Sequence, residues 1–225
     1  MHLATLLCFV SAAVLCAVPT SAASAQPAPR PKPQLFTEVV EAEAMKRTGT
    51  SFVVETDAAG VVHIAPATDR PAVPGGRNPQ TSDAITHTFT APVAGLYYIW
   101  GRISAPNHEG DSFFVKVGES RKHWVIQHEP ANVTFDAHRD WISWNHTVGD
   151  HRNTWTWSRV DLLDHPINPT HLALAFRLEA GPHTLWIARR DNGARLDKII
   201  ITNRSEFRPE GPDGVPVRKA AATAK

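Results

Sequence analysis

Four tryptophans, Trp141, Trp144, Trp155 and Trp157, crowd one short stretch of a 225-residue chain that holds seven tryptophans and only two tyrosines. An indole offers a broad apolar plane and a single N–H donor that wants a partner. A pyranose ring shows C–H groups on its face and hydroxyls on its rim, so gripping one takes such a plane plus a few fixed polar groups. Trp141-Ile-Ser-Trp-Asn145 and Trp155-Thr-Trp157 flank a polar loop rich in histidine, and on a strand Trp155 and Trp157 would share a face. With Asn145 and Arg195 they could supply both kinds of group. Core packing competes for the same rings, because tryptophan is highly buried on average. Trp100 and Trp186, set in strongly apolar runs, are assigned to the core with Phe113, Phe176 and Ile187. At least one of the four clustered indoles is expected at the surface.

Carboxylates form the second group with chemical potential. Glu38 to Met45 reads as a first strand whose alternation puts Glu41 and Glu43 on one face with Val39 and Met45. Their carboxylates would then lie about 6–7 Å apart. On the last predicted strand, Asp197 shares a face with Ile199 and Ile201 and needs a partner. If first and last strands are neighbours, the three acids converge, and two unit charges at about 4 Å repel by roughly 4 kcal/mol at an effective dielectric near 20. A hard cation, calcium for an all-oxygen set, relieves that. Solvated glutamates and an Asp197 paired with Arg195 or Lys198 are the competing reading. His138, His146 and His151, interleaved with Asp136, Asp140 and Asp150, have loop-like spacing and no H-E-x-x-H pattern, so zinc chemistry is unsupported.

The elements that must position these residues have a period of two. Ala84–Thr90, Gly95–Ile103 and Asp111–Val117 are β-rich runs, and further strands are expected at Phe52–Glu55, Val61–Ile64, His171–Leu178, His183–Arg190 and Leu196–Thr202. Pro92 to Gly95, Pro106 to Gly110, Gly118, Gly181-Pro182 and Asp191-Asn-Gly193 punctuate them as turns. Many short strands without a long helix predict an all-β fold, a β-sandwich of jelly-roll type. The apolar run from Leu3 to Val18, ahead of Ala23-Ser-Ala25, reads as a signal peptide over residues 1–25, and export to the periplasm or medium follows. Both cysteines, Cys8 and Cys16, lie in it, so the mature chain has no disulfide. Residues 26–34 alternate prolines as a spacer, 35–207 form the folded body, and the Pro/Gly-rich 208–225 is expected to be disordered. A formal net charge of +1 argues against a general nucleic-acid binder, and no later apolar stretch suits membrane insertion.

Val40-Glu-Ala-Glu43, Ala94-Gly-Leu-Tyr-Tyr98, Gly181-Pro-His-Thr-Leu185 and Leu196-Asp-Lys-Ile199 resemble, in order and spacing, the calcium-binding β-jelly-roll carbohydrate-binding modules of families 6 and 35. The resemblance covers about Glu38 to Asn203. It implies a structural calcium held by Glu41, Glu43 and Asp197, and a polysaccharide or oligosaccharide partner bound by loops at one end of the sandwich. Where the family often has an asparagine two residues before the last aspartate, this chain has Arg195, within Arg189-Arg-Asp-Asn-Gly-Ala-Arg195, and Asn192 is shifted. A guanidinium there suits a carboxylate or sulfate, so the departure points to an acidic polysaccharide. The expected ligand set is therefore Trp141, Trp144, Asn145, Trp155, Trp157, Arg189, Asn192 and Arg195.

Catalysis is the runner-up. The chain has no G-x-S-x-G elbow, phosphate loop or dinucleotide fingerprint. A polysaccharide lyase needs only a base and a group that neutralises the uronate, roles that Tyr97, His146 and Arg195 could take. An exported adhesion or envelope protein is the third class. The expectation is a non-catalytic binder.

Overall fold

The computed structural model describes residues 34–67, 79, 82–118, 124–126, 141–145, 152–162 and 172–215. The expected signal peptide, the spacer up to residue 33 and the histidine-rich segments around His138, His146 and His151 lie outside them.

Within the described residues the chain is a β-sandwich. Its strands are β1 (Thr37–Glu41), β2 (Lys46–Arg47), β3 (Phe52–Thr56), β4 (Val62–Pro66), β5 (Ala84–Ala91), β6 (Gly95–Ser104), β7 (Ser112–Val117), β8 (Trp124–Ile126), β9 (Ile142–Asn145), β10 (Thr156–Arg159), β11 (Asp161–Leu162), β12 (Leu172–Leu178), β13 (Gly181–Arg189) and β14 (Arg195–Thr202). One sheet runs β11-β12-β6-β14-β4-β3, with β1 on β14, β10 on β6 and β8 on β12; the other runs β2-β5-β13-β7-β9. Neighbouring strands are antiparallel, and most pairs join strands that are not consecutive in the chain.

Alternation decides what each strand buries. Tyr97, Ile99 and Ile103 of β6 and Ile199 and Ile201 of β14 face Phe113, Val115, Leu185, Ile187 and Trp144 of the other sheet in one core. Each such side chain contributes about 1.5–3 kcal/mol by leaving water. Trp144 projects from β9 across the sandwich to Gly101 of β6, where an added Cβ would collide with its ring. Its indole N–H donates to Ser158 Oγ of β10 at 3.3 Å, so a fully buried ring is still satisfied.

The outer sheet faces carry further tryptophans. Trp100, Ile200, Phe207 and the half-buried Trp157 cluster on the larger sheet. There the chain beyond β14 folds back: Trp157 Nε1 donates to the Gly211 carbonyl at 2.7 Å, Arg208 sits 5.7 Å from the Trp100 ring centre, and Gly214 lies against Ile200 and Trp157. Residues 208–215, expected to be disordered from their Pro/Gly content, are thus packed on the sheet. Phe207 and the Trp157 indole supply the apolar area and the hydrogen bond that the composition did not announce.

Two local departures from the period of two matter most. Glu41 ends β1, and Ala42–Ala44 make a 3-10 turn, so Glu43 does not continue the strand face of Glu41. The β6–β14 ladder skips Asp197, shifting register between Leu196 and Lys198. Ile199 and Ile201 enter the core as expected, but Asp197 does not join them. It is turned toward Arg102 on the outer side.

Candidate functional site

The acids at the chain ends do become neighbours, since β1 pairs with β14 and Glu41 stands opposite Lys198. Both carboxylate oxygens of Glu41 accept from Lys198 Nζ at 2.6 Å. Asp197, 3% exposed, accepts from Arg102 Nη1 at 2.6 Å. Neighbouring Asp197 and Glu41 raise the Lys198 pKa, although its burial opposes them. Glu43 differs: its Oε2 is buried and has no hydrogen-bond partner, a donor whose chemistry fits a hard cation. Among the described residues no three acids, histidines or cysteines converge as a metal cage.

The four expected indoles separate. Trp144 is fully buried and Trp141 is 4% exposed, so neither offers a ring face to a ligand. Trp141 packs with Phe114 and Trp186 on the outer face of the smaller sheet, with Lys116 Nζ 5.1 Å from its ring centre. Trp157 is occupied by the C-terminal segment. Trp155 is half-buried: its N–H donates to Asp57 Oδ2 at 2.8 Å, His63 meets its ring edge-on, and Arg102 lies 5.5 Å from its centre. That indole is the largest of the influences lowering the Asp57 pKa. Trp155 adjoins Thr156, which sits in one row with Ile103 and Leu196, near the end of the sandwich where β14 begins.

At that end a polar cluster is assembled from residues that the turns bring together. The loops after β6 and after β13 touch backbone to backbone, Gly110 against Gly193, an approach that a Cβ on either would obstruct. Ser112 opens β7 opposite Asn145, the last residue of β9. Arg190 Nη1 donates to Asn145 Oδ1 at 2.6 Å and to Ser112 Oγ at 2.7 Å, and lies 3.7 Å from Asp191 Oδ2. The Ser112 hydroxyl in turn donates to Asp191. Arg189, 5% exposed, donates to the Ala67 carbonyl and to Asn192 Oδ1. Asn107, His108, Glu109 and Asn192 form an exposed rim, with Asn107 capping the short turn His108–Gly110. The structure therefore brings Asn145, Arg189 and Asn192 to one place. Arg195, half-buried opposite Ser104, adjoins it.

Arg190, Ser112, Asp111 and Asp191 were not singled out by sequence reasoning. Their signal was positional, since each borders a turn already recognised at Pro106–Gly110 or Asp191–Gly193. Asp111 is 6% exposed, and burial, then the nearby Asp191, pushes its pKa up to about 6 against the pull of His108 and Arg190. A carboxyl whose pKa rises on folding favours the native state when protonated. That stability is fully present below the unfolded value near 3.8 and is lost as pH rises through about 6. Asp111→Asn should therefore stabilise the domain by about 2 kcal/mol at neutral pH and by almost nothing near pH ~4, read from urea denaturation across that range.

No family model matches the sequence, and no curated protein does. Solved structures similar to the chain include the C-terminal family 6 carbohydrate-binding module of a marine laminarinase from Zobellia galactanivorans, 13% identical over 74% of this chain and 99% of that one, TM-score 0.44. A family 35 module from Clostridium thermocellum is 13% identical over 74% of this chain and 97% of its own, TM-score 0.45. A family 6 module of Cellvibrio mixtus lichenase 5A, solved with cellotriose, is 19% identical over 75% of this chain and 97% of its own, TM-score 0.40.

Proposed function

We propose that the chain is an exported, non-catalytic polysaccharide-binding module whose ligand docks at the loop end of the sandwich. The observation that carries this is the polar network of Asn145, Ser112, Arg190 and Asp191 beneath an exposed rim of Asn107, His108, Glu109 and Asn192. Sugar hydroxyls are both donors and acceptors, so a site for them needs amide, hydroxyl and carboxylate groups held still, which a network of mutual hydrogen bonds does. Trp155 is the indole best placed to lie against a ring at that end. Ser112 gives its proton to Asp191 and accepts from Arg190, which spends its hydroxyl on structure rather than on attack.

A calcium ion, where bound, would draw on the unpartnered Oε2 of Glu43, with Glu41 and Asp197 joining only on release from Lys198 and Arg102. Its part is to neutralise those acids and tie β1 and the 3-10 turn to β14. Export rests on the amino-terminal apolar run and cleavage site. No helix among the described residues is long and apolar enough to cross a membrane.

Affinity electrophoresis through gels containing soluble polysaccharides tests the proposal, with alginate and pectate digests followed by ultraviolet absorbance in parallel. Retardation by at least one polysaccharide, with no new absorbance, is the expected result. Absorbance from unsaturated products would make the protein a lyase, and free migration through every gel would favour a protein partner.

A further inference from the structure

We propose that the carboxylates of Asp111 and Asp191 make the loop end select neutral over anionic polysaccharides. The inference rests on the binding function proposed above and names its ligand class. The sequence reason for an acidic ligand was Arg195, within the arginine-rich stretch Arg189 to Arg195. In the folded chain the two arginines at the cluster are tied down in place, while Arg195 stands on β14 opposite Ser104. Arg189 is buried against the Ala67 carbonyl and Asn192, and Arg190 is spread over Asn145, Ser112 and Asp191. Asp111 and Asp191 stand within the same cluster, so two carboxylates answer two guanidiniums. An incoming uronate or sulfate at that cluster would face both acids at short range in a partly dry site, where like charges repel most strongly. A neutral sugar pays no such penalty and still finds the exposed amides of Asn107 and Asn192.

The groups that face Asp111 are Asp191 and Arg190 from the loop after β13 and His108 from its own loop, whose Nδ1 is 3.8 Å away. Lowering the pH below about 6 neutralises Asp111, a change that favours an anion. The substitution at constant pH separates Asp111 from His108.

The experiment is affinity electrophoresis of the full chain and of Asp111→Asn, with Asp191→Asn as a second variant, each checked for folding by near-ultraviolet circular dichroism. The gels contain neutral polysaccharides (mixed-linkage glucan, xylan, galactan) or anionic ones (alginate, polygalacturonate, chondroitin sulfate) at neutral pH and low salt. The wild type should be retarded by a neutral polysaccharide and not by the anionic set. Asp111→Asn should raise the ratio of anionic to neutral affinity by about tenfold, and the wild type should move the same way on acidification. Wild-type binding to anionic polysaccharides as tight as to neutral ones, or an unchanged ratio in both folded variants, overturns the selection while leaving the binding function standing. Free migration of the wild type in every gel overturns the binding function and the selection with it.

Discussion

Trp144→Ala should destabilise the domain by about 3–5 kcal/mol, the range for removing a large buried aromatic side chain. The ring is fully buried, crosses the sandwich to Gly101 of β6, which has no side chain in its way, and touches Phe113 with ring centres 6.0 Å apart. Alanine leaves a cavity that glycine at 101 cannot fill, and it strands Ser158 without its indole donor. Trp144→Phe keeps most of the volume and should cost less than half as much. Urea denaturation checks both. A loss below about 1 kcal/mol in the alanine variant, coupled to lost polysaccharide retention, would mean that the ring serves the ligand rather than the core.

Asp197→Ala is expected to be similarly severe, about 3–5 kcal/mol, because it leaves Arg102 charged and largely buried with no carboxylate opposite. The pair sits at the β14 bulge, with Asp197 and Arg102 side chains 4% and 14% exposed. Replacing both partners, Arg102→Met with Asp197→Leu, should recover most of the loss, since a desolvated pair contributes far less than breaking it costs. Chelation adds a second arm. If Glu43 and Asp197 hold calcium, a chelator lowers the unfolding temperature of the wild type and leaves that of Asp197→Ala unmoved. No chelator effect in the wild type would assign Asp197 to Arg102 alone.

The strands that make the core were legible because their apolar residues alternate without a break. Ile85 and Phe89, Phe113, Val115 and Val117, Leu185 and Ile187, and Ile199 and Ile201 all enter the interior as their spacing requires. What escaped was governed by single-residue events. A period of two flips every later side chain when one residue is added, so the 3-10 turn at Ala42–Ala44 and the bulge at Asp197 re-aimed two of the three acids that alternation had aligned. Glu41, which obeys the period, found Lys198 across the ladder instead of a shared ion. In the arginine-rich loop the type of residue was informative and the position was not. Arg190, one place beyond β13, reaches the network, whereas the family resemblance put the emphasis on Arg195. Tryptophan count could not distinguish a plane for sugar from a plug for the core. Only the glycine opposite Trp144 and the tail over Trp157 decide that, and both are long-range partners.

The loop-end site is tested most directly by nuclear magnetic resonance titration of the isotopically labelled chain with an oligosaccharide of the polysaccharide that retards it most. Perturbed backbone amides should concentrate at Asn107, Ser112, Asn145, Arg190 and Asn192 and saturate together, with the outer face around Lys116 and Trp186 unmoved. Perturbations confined to that outer face, or none at any concentration of a sugar whose polymer is bound, would contradict the account.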